Sequence, residues 1–94
     1  MIKSFKHKGL KNFYETGNIK GIQPVHKNKL ANILSSLDSA TIIADINLPG
    51  FNLHQLHGDL KGQWTVTVQA NWRVTFEFDE KTSDVYIVDY QDYH

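Results

Sequence analysis

The 94-residue chain ends Asp92-Tyr93-His94, an acid, a phenol and an imidazole in a row. Chain ends fray and cost little to leave bland, so either these residues are a soluble tail or the last strand aims them at something. Histidine changes charge near neutrality, and two of them can supply a general base and a general acid. His54 and His57, in the stretch NLHQLH, are the other candidates. Tyr93 adds a stacking face and a weak acid, and Asp92 can orient an imidazole. Arg73 can stabilise charge that builds on a phosphorus centre, where a fixed cation counts most. Together these are the parts for RNA cleavage by side chains alone. A base takes the proton of the ribose 2′-OH, an acid protonates the leaving 5′-oxygen, and Arg73 holds the phosphate. The residues leave open which histidine is base and which is acid.

Other chemistries find less support. There are no cysteines, so the chain has no thiolate nucleophile, disulfide framework or cysteine-based zinc site. His54 and His57 are three apart, and on a strand they point to opposite faces, which is poor metal spacing. No metal and no other cofactor is expected. The sequence has no serine nucleophile motif, no glycine-rich phosphate loop and no H-E-x-x-H. His7 and His26 lie among lysines and read as surface residues.

The elements that must position these groups follow from periodicity. Residues 2–5 read as a short strand. Residues 8–14 read as a helix with Leu10, Phe13 and Tyr14 on one side, stopped by Gly17. Pro24 suits the first turn of a second helix, in which Val25, Leu30, Ile33, Leu34 and Leu37 form an apolar stripe ending near Asp38. TIIADINLPGF reads as a half-helical connector. Strands follow. NLHQLH is a short run. Trp64, Val66 and Val68 alternate with polar residues, as do Trp72, Val74, Phe76 and Phe78, and the intervening QAN suits a tight hairpin. VYIVDY forms the last strand, with Tyr86, Val88 and Tyr90 expected on one face. The order predicts one α+β domain over residues 1–94: a small antiparallel or mixed sheet with two N-terminal helices packed on one face. Arg73, Thr75 and Glu77 then face a wet, concave surface where Arg73, a histidine of NLHQLH and the terminal DYH can converge.

Net charge is zero but unevenly spread. Residues 1–30 carry seven lysines against Glu15, a net +6, and the remainder carries −6. The basic third can face an anion. A neutral total argues against strong RNA binding in free solution, which rests on many phosphate contacts. No stretch reads as a signal peptide or a membrane span, so a cytoplasmic protein is expected.

Four blocks, MIKSFKHKGLK, LHQLHGD, GQWTVTVQANWRVTFEF and VYIVDYQDYH, closely resemble the HigB-type killer toxins of the RelE/ParE toxin–antitoxin superfamily, in the same order and over nearly the whole chain. The resemblance implies a RelE-like fold and a ribosome-dependent endoribonuclease that cuts messenger RNA in the A site. It implies a helix-turn-helix antitoxin of the HigA kind as partner, with operator DNA reached only through that antitoxin. By the family pattern, His54, Asp92, Tyr93 and His94 are the catalytic group, and Asn71 and Arg73 hold the RNA backbone. His57 stands where the family often carries lysine. A lysine is a permanent cation, whereas a histidine is mostly neutral at pH 7, so RNA binding at His57 is expected to be weaker here. The DEKTSD turn is longer than usual, and Gln91 replaces a common acid. The alternatives are a gyrase-poisoning toxin of the ParE kind and a catalytically inactive binding module. The retained His54, Arg73 and DYH argue against the first.

Overall fold

The computed structural model describes residues 1–56 and 62–93. Its order is helix α1 (Lys8–Thr16), a 3-10 turn (Pro24–His26), helix α2 (Lys27–Ser39), a second 3-10 turn (Ile43–Ile46) and strands β1 (His54–Gln55), β2 (Gln63–Gln69), β3 (Trp72–Asp79) and β4 (Asp84–Asp92). The four strands form an antiparallel meander in chain order. Residues 2–5 do not form a full strand. They make single parallel bridges, Ile2 to Val85 and Phe5 to Val88, which give the β4 edge a mixed character.

Each helix stops where its backbone chemistry demands. His7 caps α1, its Nδ1 accepting from the Leu10 amide at 2.9 Å, which fills one of the donors a helix start leaves unpaired. Gly17 ends α1 with φ +80° and donates its amide to the Phe13 carbonyl, the left-handed cap that glycine adopts without strain. Leu10 and Phe13 of α1 and Leu30, Ile33, Leu34 and Leu37 of α2 are buried with Ile46, Phe51, Val66, Val74, Phe76, Val85 and Val88 in one core between helices and sheet. Val25 is not part of the stripe: it lies on the 3-10 turn ahead of α2 and is 73% exposed. The 3-10 geometry rotates the entry to the helix, and the buried side chain there is His26.

A bulge revises the faces of β4. Thr75 pairs with Asp89, but Glu77 pairs with Tyr86, so β4 carries one residue more than β3 between these pairs. Ile87 sits at the bulge with φ +48°, and its amide donates to Ser4 Oγ at 2.8 Å. The alternation therefore slips. Val85, Val88 and Tyr90 are buried, while Tyr86 lies opposite Glu77 and Ile87 is 37% exposed.

Candidate active site

Residues directly opposite one another in a sheet share a face. The register draws one row His54–Thr65–Thr75–Asp89 and, toward the hairpin tip, a second row Thr67–Arg73–Gln91. His54 and Arg73 therefore stand on the same face, two strands and two residues apart. Standard strand spacing puts their backbones about 12 Å apart, a gap two long side chains can close around one phosphodiester. The face is not wet throughout. Thr65 and Thr75 are buried, and Thr65 Oγ1 has no hydrogen-bond partner among the described residues.

His54 is exposed and its tautomer is fixed by geometry. Its Nδ1 lies 2.9 Å from the Asn52 carbonyl oxygen. A carbonyl only accepts, so Nδ1 carries the hydrogen of the neutral ring and Nε2 presents a lone pair. Asn52 is held with φ +50°, a conformation asparagine tolerates better than most residues, and this turns its carbonyl back onto the ring.

Arg73 is half-buried, with Nη1 donating to the Ala70 carbonyl at 2.5 Å and the Trp72 carbonyl at 3.1 Å. These bonds bend the side chain toward the hairpin tip. A guanidinium has five N–H donors, so the remainder of the fork is left for a planar anion. Asn71 is at the tip. Its carbonyl accepts the Tyr93 amide at 2.8 Å, so the ladder runs one bond past β4 and places Tyr93 beside Asn71. Continued alternation returns Tyr93 to the Arg73 face. Asp92 differs: it pairs with Trp72 and leaves the strand on the other side of the pleat. Its carboxylate acts on Tyr90, whose phenol is pushed up mainly by burial and further by the Asp92 charge, against the lowering effect of the Gln23 amide.

Of the residues singled out from the sequence, the register puts His54 and Arg73 on one face, while Asn71, Tyr93 and Asp92 lie by their backbones at the hairpin end beside Arg73. His57 and His94 lie outside the described residues. No group of three or more metal-ligating side chains occurs among the described residues. A hollow of about 580 Å³ lies toward the opposite end of the sheet, lined by Glu77, Asp79 and Glu80 with Phe78, Lys81 and Tyr86. Three carboxylates repel phosphate, so it does not suit RNA.

His26 is a further residue that sequence patterning misplaced. It is 3% exposed, with Nδ1 2.6 Å from Tyr90 Oη and Nε2 2.9 Å from Gln69 Oε1. Lysine neighbours suggested a surface position. No local pattern marks it, since the groups that bury it, Tyr90 and Gln69, are distant in the chain.

A family model described as RelE-like toxin of type II toxin-antitoxin system HigB matches residues 3–94. The chain is 46% identical over 94 residues, the full length of both proteins, to Endoribonuclease HigB of Proteus vulgaris. It is 32% identical over 80 residues to Toxin HigB-1 of Vibrio cholerae, covering 83% of this chain and 84% of that protein.

Proposed function

This chain belongs to the RelE-like HigB toxins of type II toxin–antitoxin systems, and from that premise we propose that it is a ribosome-dependent endoribonuclease that cuts messenger RNA in the A site. The observation that carries the mechanism is a histidine whose Nδ1 is engaged by a carbonyl, leaving Nε2 outward, with an arginine fork on the same face. His54 Nε2 takes the proton of the ribose 2′-OH. The 2′-oxygen attacks phosphorus, Arg73 and Asn71 hold the non-bridging oxygens, and the P–O5′ bond breaks to leave a 2′,3′-cyclic phosphate. By the family pattern the leaving 5′-oxygen takes its proton from the terminal group, where Tyr93 also offers a base a stacking face. Asp92 supports that group from the strand end.

The partners follow from the same premise. A type II toxin has an antitoxin, here read as a helix-turn-helix protein of the HigA kind that carries the operator contact. A neutral chain gains its RNA from the ribosome. The basic third faces ribosomal RNA through exposed Lys8, Lys11 and Lys27. Lys29 is committed elsewhere, donating to the Gly50 carbonyl at 3.0 Å with its ammonium 5.0 Å from the Phe51 ring centre. Action on ribosomes places the protein in the cytoplasm; no described helix is long and apolar enough to cross a membrane.

The test is turnover in a purified translation system. His54→Ala is expected to lower kcat by about 10²–10⁴-fold, the range for losing a general base, and wild-type products are expected to end in a cyclic phosphate. A folded His54→Ala protein that cuts at the wild-type rate overturns the assignment.

A further inference from the structure

On the core side of the sheet, directly behind the candidate site, one imidazole joins three strand positions that flank site residues. Gln69 immediately precedes the Ala70-Asn71 tip, Trp72 immediately precedes Arg73, and Tyr90 is two residues from Asp92. His26 meets all three. It is bonded to Tyr90 Oη and Gln69 Oε1, and its ring stands edge-on to Trp72 at 5.5 Å and to Tyr90 at 6.0 Å. Trp72 and Tyr90 stack at 4.5 Å. His7 adds a further edge to Tyr90 at 5.2 Å.

The proton positions close into one chain. Gln23 donates its amide to Tyr90 Oη at 3.3 Å. The Tyr90 hydroxyl hydrogen is then free to donate to His26 Nδ1. His26 Nε2–H donates in turn to the Gln69 side-chain carbonyl. Every member donates or accepts in the role its neighbour needs, with the His26–Tyr90 bond buried at the centre and the exposed Gln23 and Gln69 at the ends.

We infer that His26 is a positioning residue for the RNA site: through Tyr90 and Gln69 it fixes the end of β4 against the hairpin tip and so sets Tyr93 beside Asn71 and Arg73. This rests on the nuclease reading given above for its effect on cleavage, but not for its effect on structure. The bond it serves is visible, the Tyr93 amide to the Asn71 carbonyl at 2.8 Å. Both partners of that bond belong to segments held from behind by the same imidazole. A histidine that merely fills core space stabilises the whole fold evenly. One that positions the site acts on this end of the sheet more than on the far end.

The experiment compares wild type with Tyr90→Phe, which keeps the stacked ring and removes the hydroxyl, and with His26→Ala and the double variant. Amide hydrogen exchange and ribosome-dependent cleavage are measured on each. Loss of one buried hydrogen bond changes a local opening equilibrium by about tenfold. Tyr93 amide exchange is therefore expected to rise about tenfold, while the Lys3 and Val85 amides, bonded at the far end to Val85 and Met1, change less than twofold. The kcat for cleavage is expected to fall about tenfold with KM within twofold, and the double variant to be no worse than the poorer single one. Exchange that rises equally at Tyr93, Lys3 and Val85 overturns the proposal, as does unchanged Tyr93 exchange or unchanged kcat in folded Tyr90→Phe. If wild type cuts no RNA, the nuclease reading fails, and positioning then stands or falls on exchange alone. If His26→Ala does not fold, Tyr90→Phe decides.

Discussion

Replacing Arg73 separates the structural bonds of its side chain from the phosphate contact proposed for it, because those bonds occupy one nitrogen. Nη1 bonds the Ala70 and Trp72 carbonyls, and under the proposed mechanism the rest of the fork holds the phosphate. A hydrogen bond to a charged group contributes about 1.5–3 kcal/mol, and a partly exposed one less, so losing the Nη1 bonds should cost about 1 kcal/mol of stability. In a domain of this size that lowers Tm by about 4–8 °C. The phosphate contact is worth more, since it strengthens as charge builds on the non-bridging oxygens. A loss of about 3 kcal/mol of transition-state stabilisation lowers kcat/KM by about 10²-fold. Arg73→Ala should therefore unfold a few degrees early yet cut about a hundredfold more slowly. Arg73→Lys keeps a charge but not the fork and should lose about tenfold. The assay is kcat/KM for cleavage of a short messenger on programmed ribosomes, with Tm from thermal melting. A folded Arg73→Ala protein whose kcat/KM is within twofold of wild type would refute the phosphate role.

Three further outcomes follow from the backbone and from burial. Ala70 is exposed and held at φ +51°, where a Cβ costs about 1 kcal/mol, so Ala70→Gly should raise Tm by about 4–8 °C in a thermal melt. Ser4→Ala removes the acceptor for the Ile87 amide at the β4 bulge and should cost about 1 kcal/mol by denaturant titration. Burial first, and the Asp92 charge after it, raise the Tyr90 phenol above its ordinary 10.0. The unfolded chain then releases that proton at lower pH than the folded one. Stability should fall as pH climbs past 10 toward the folded value, and Tyr90→Phe should flatten that fall in pH-dependent melts.

The order of elements was legible because the periodicities are clean. Leu30, Ile33, Leu34 and Leu37 could only be a helix face, and Trp72, Val74, Phe76 and Phe78 only a strand face. The β4 faces were not legible. A single bulged residue exchanges inside for outside, and nothing in VYIVDY marks Ile87 as the residue that takes a positive φ; the Ser4 hydroxyl that satisfies it is 83 positions away. His26 was hidden for a similar reason. Its partners Tyr90 and Gln69 are 64 and 43 residues distant, so its burial depends on pairing that local composition does not encode. Of the candidate site, His54, Arg73, Asn71 and Tyr93 were proposed from type and resemblance, and the register adds that His54 and Arg73 share a face. The tautomer of His54 required the Asn52 carbonyl, which only the folded backbone supplies.

The most direct test of the central account is to map messenger RNA 5′ ends in a bacterial translation extract, with and without ribosomes, for wild type, His54→Ala and His94→Ala. The account predicts cuts within codons that require ribosomes and disappear in both variants. Cuts of naked RNA at the same rate would contradict the ribosome dependence. A folded, growth-inhibiting wild type that leaves every messenger intact would contradict the nuclease reading and return attention to gyrase.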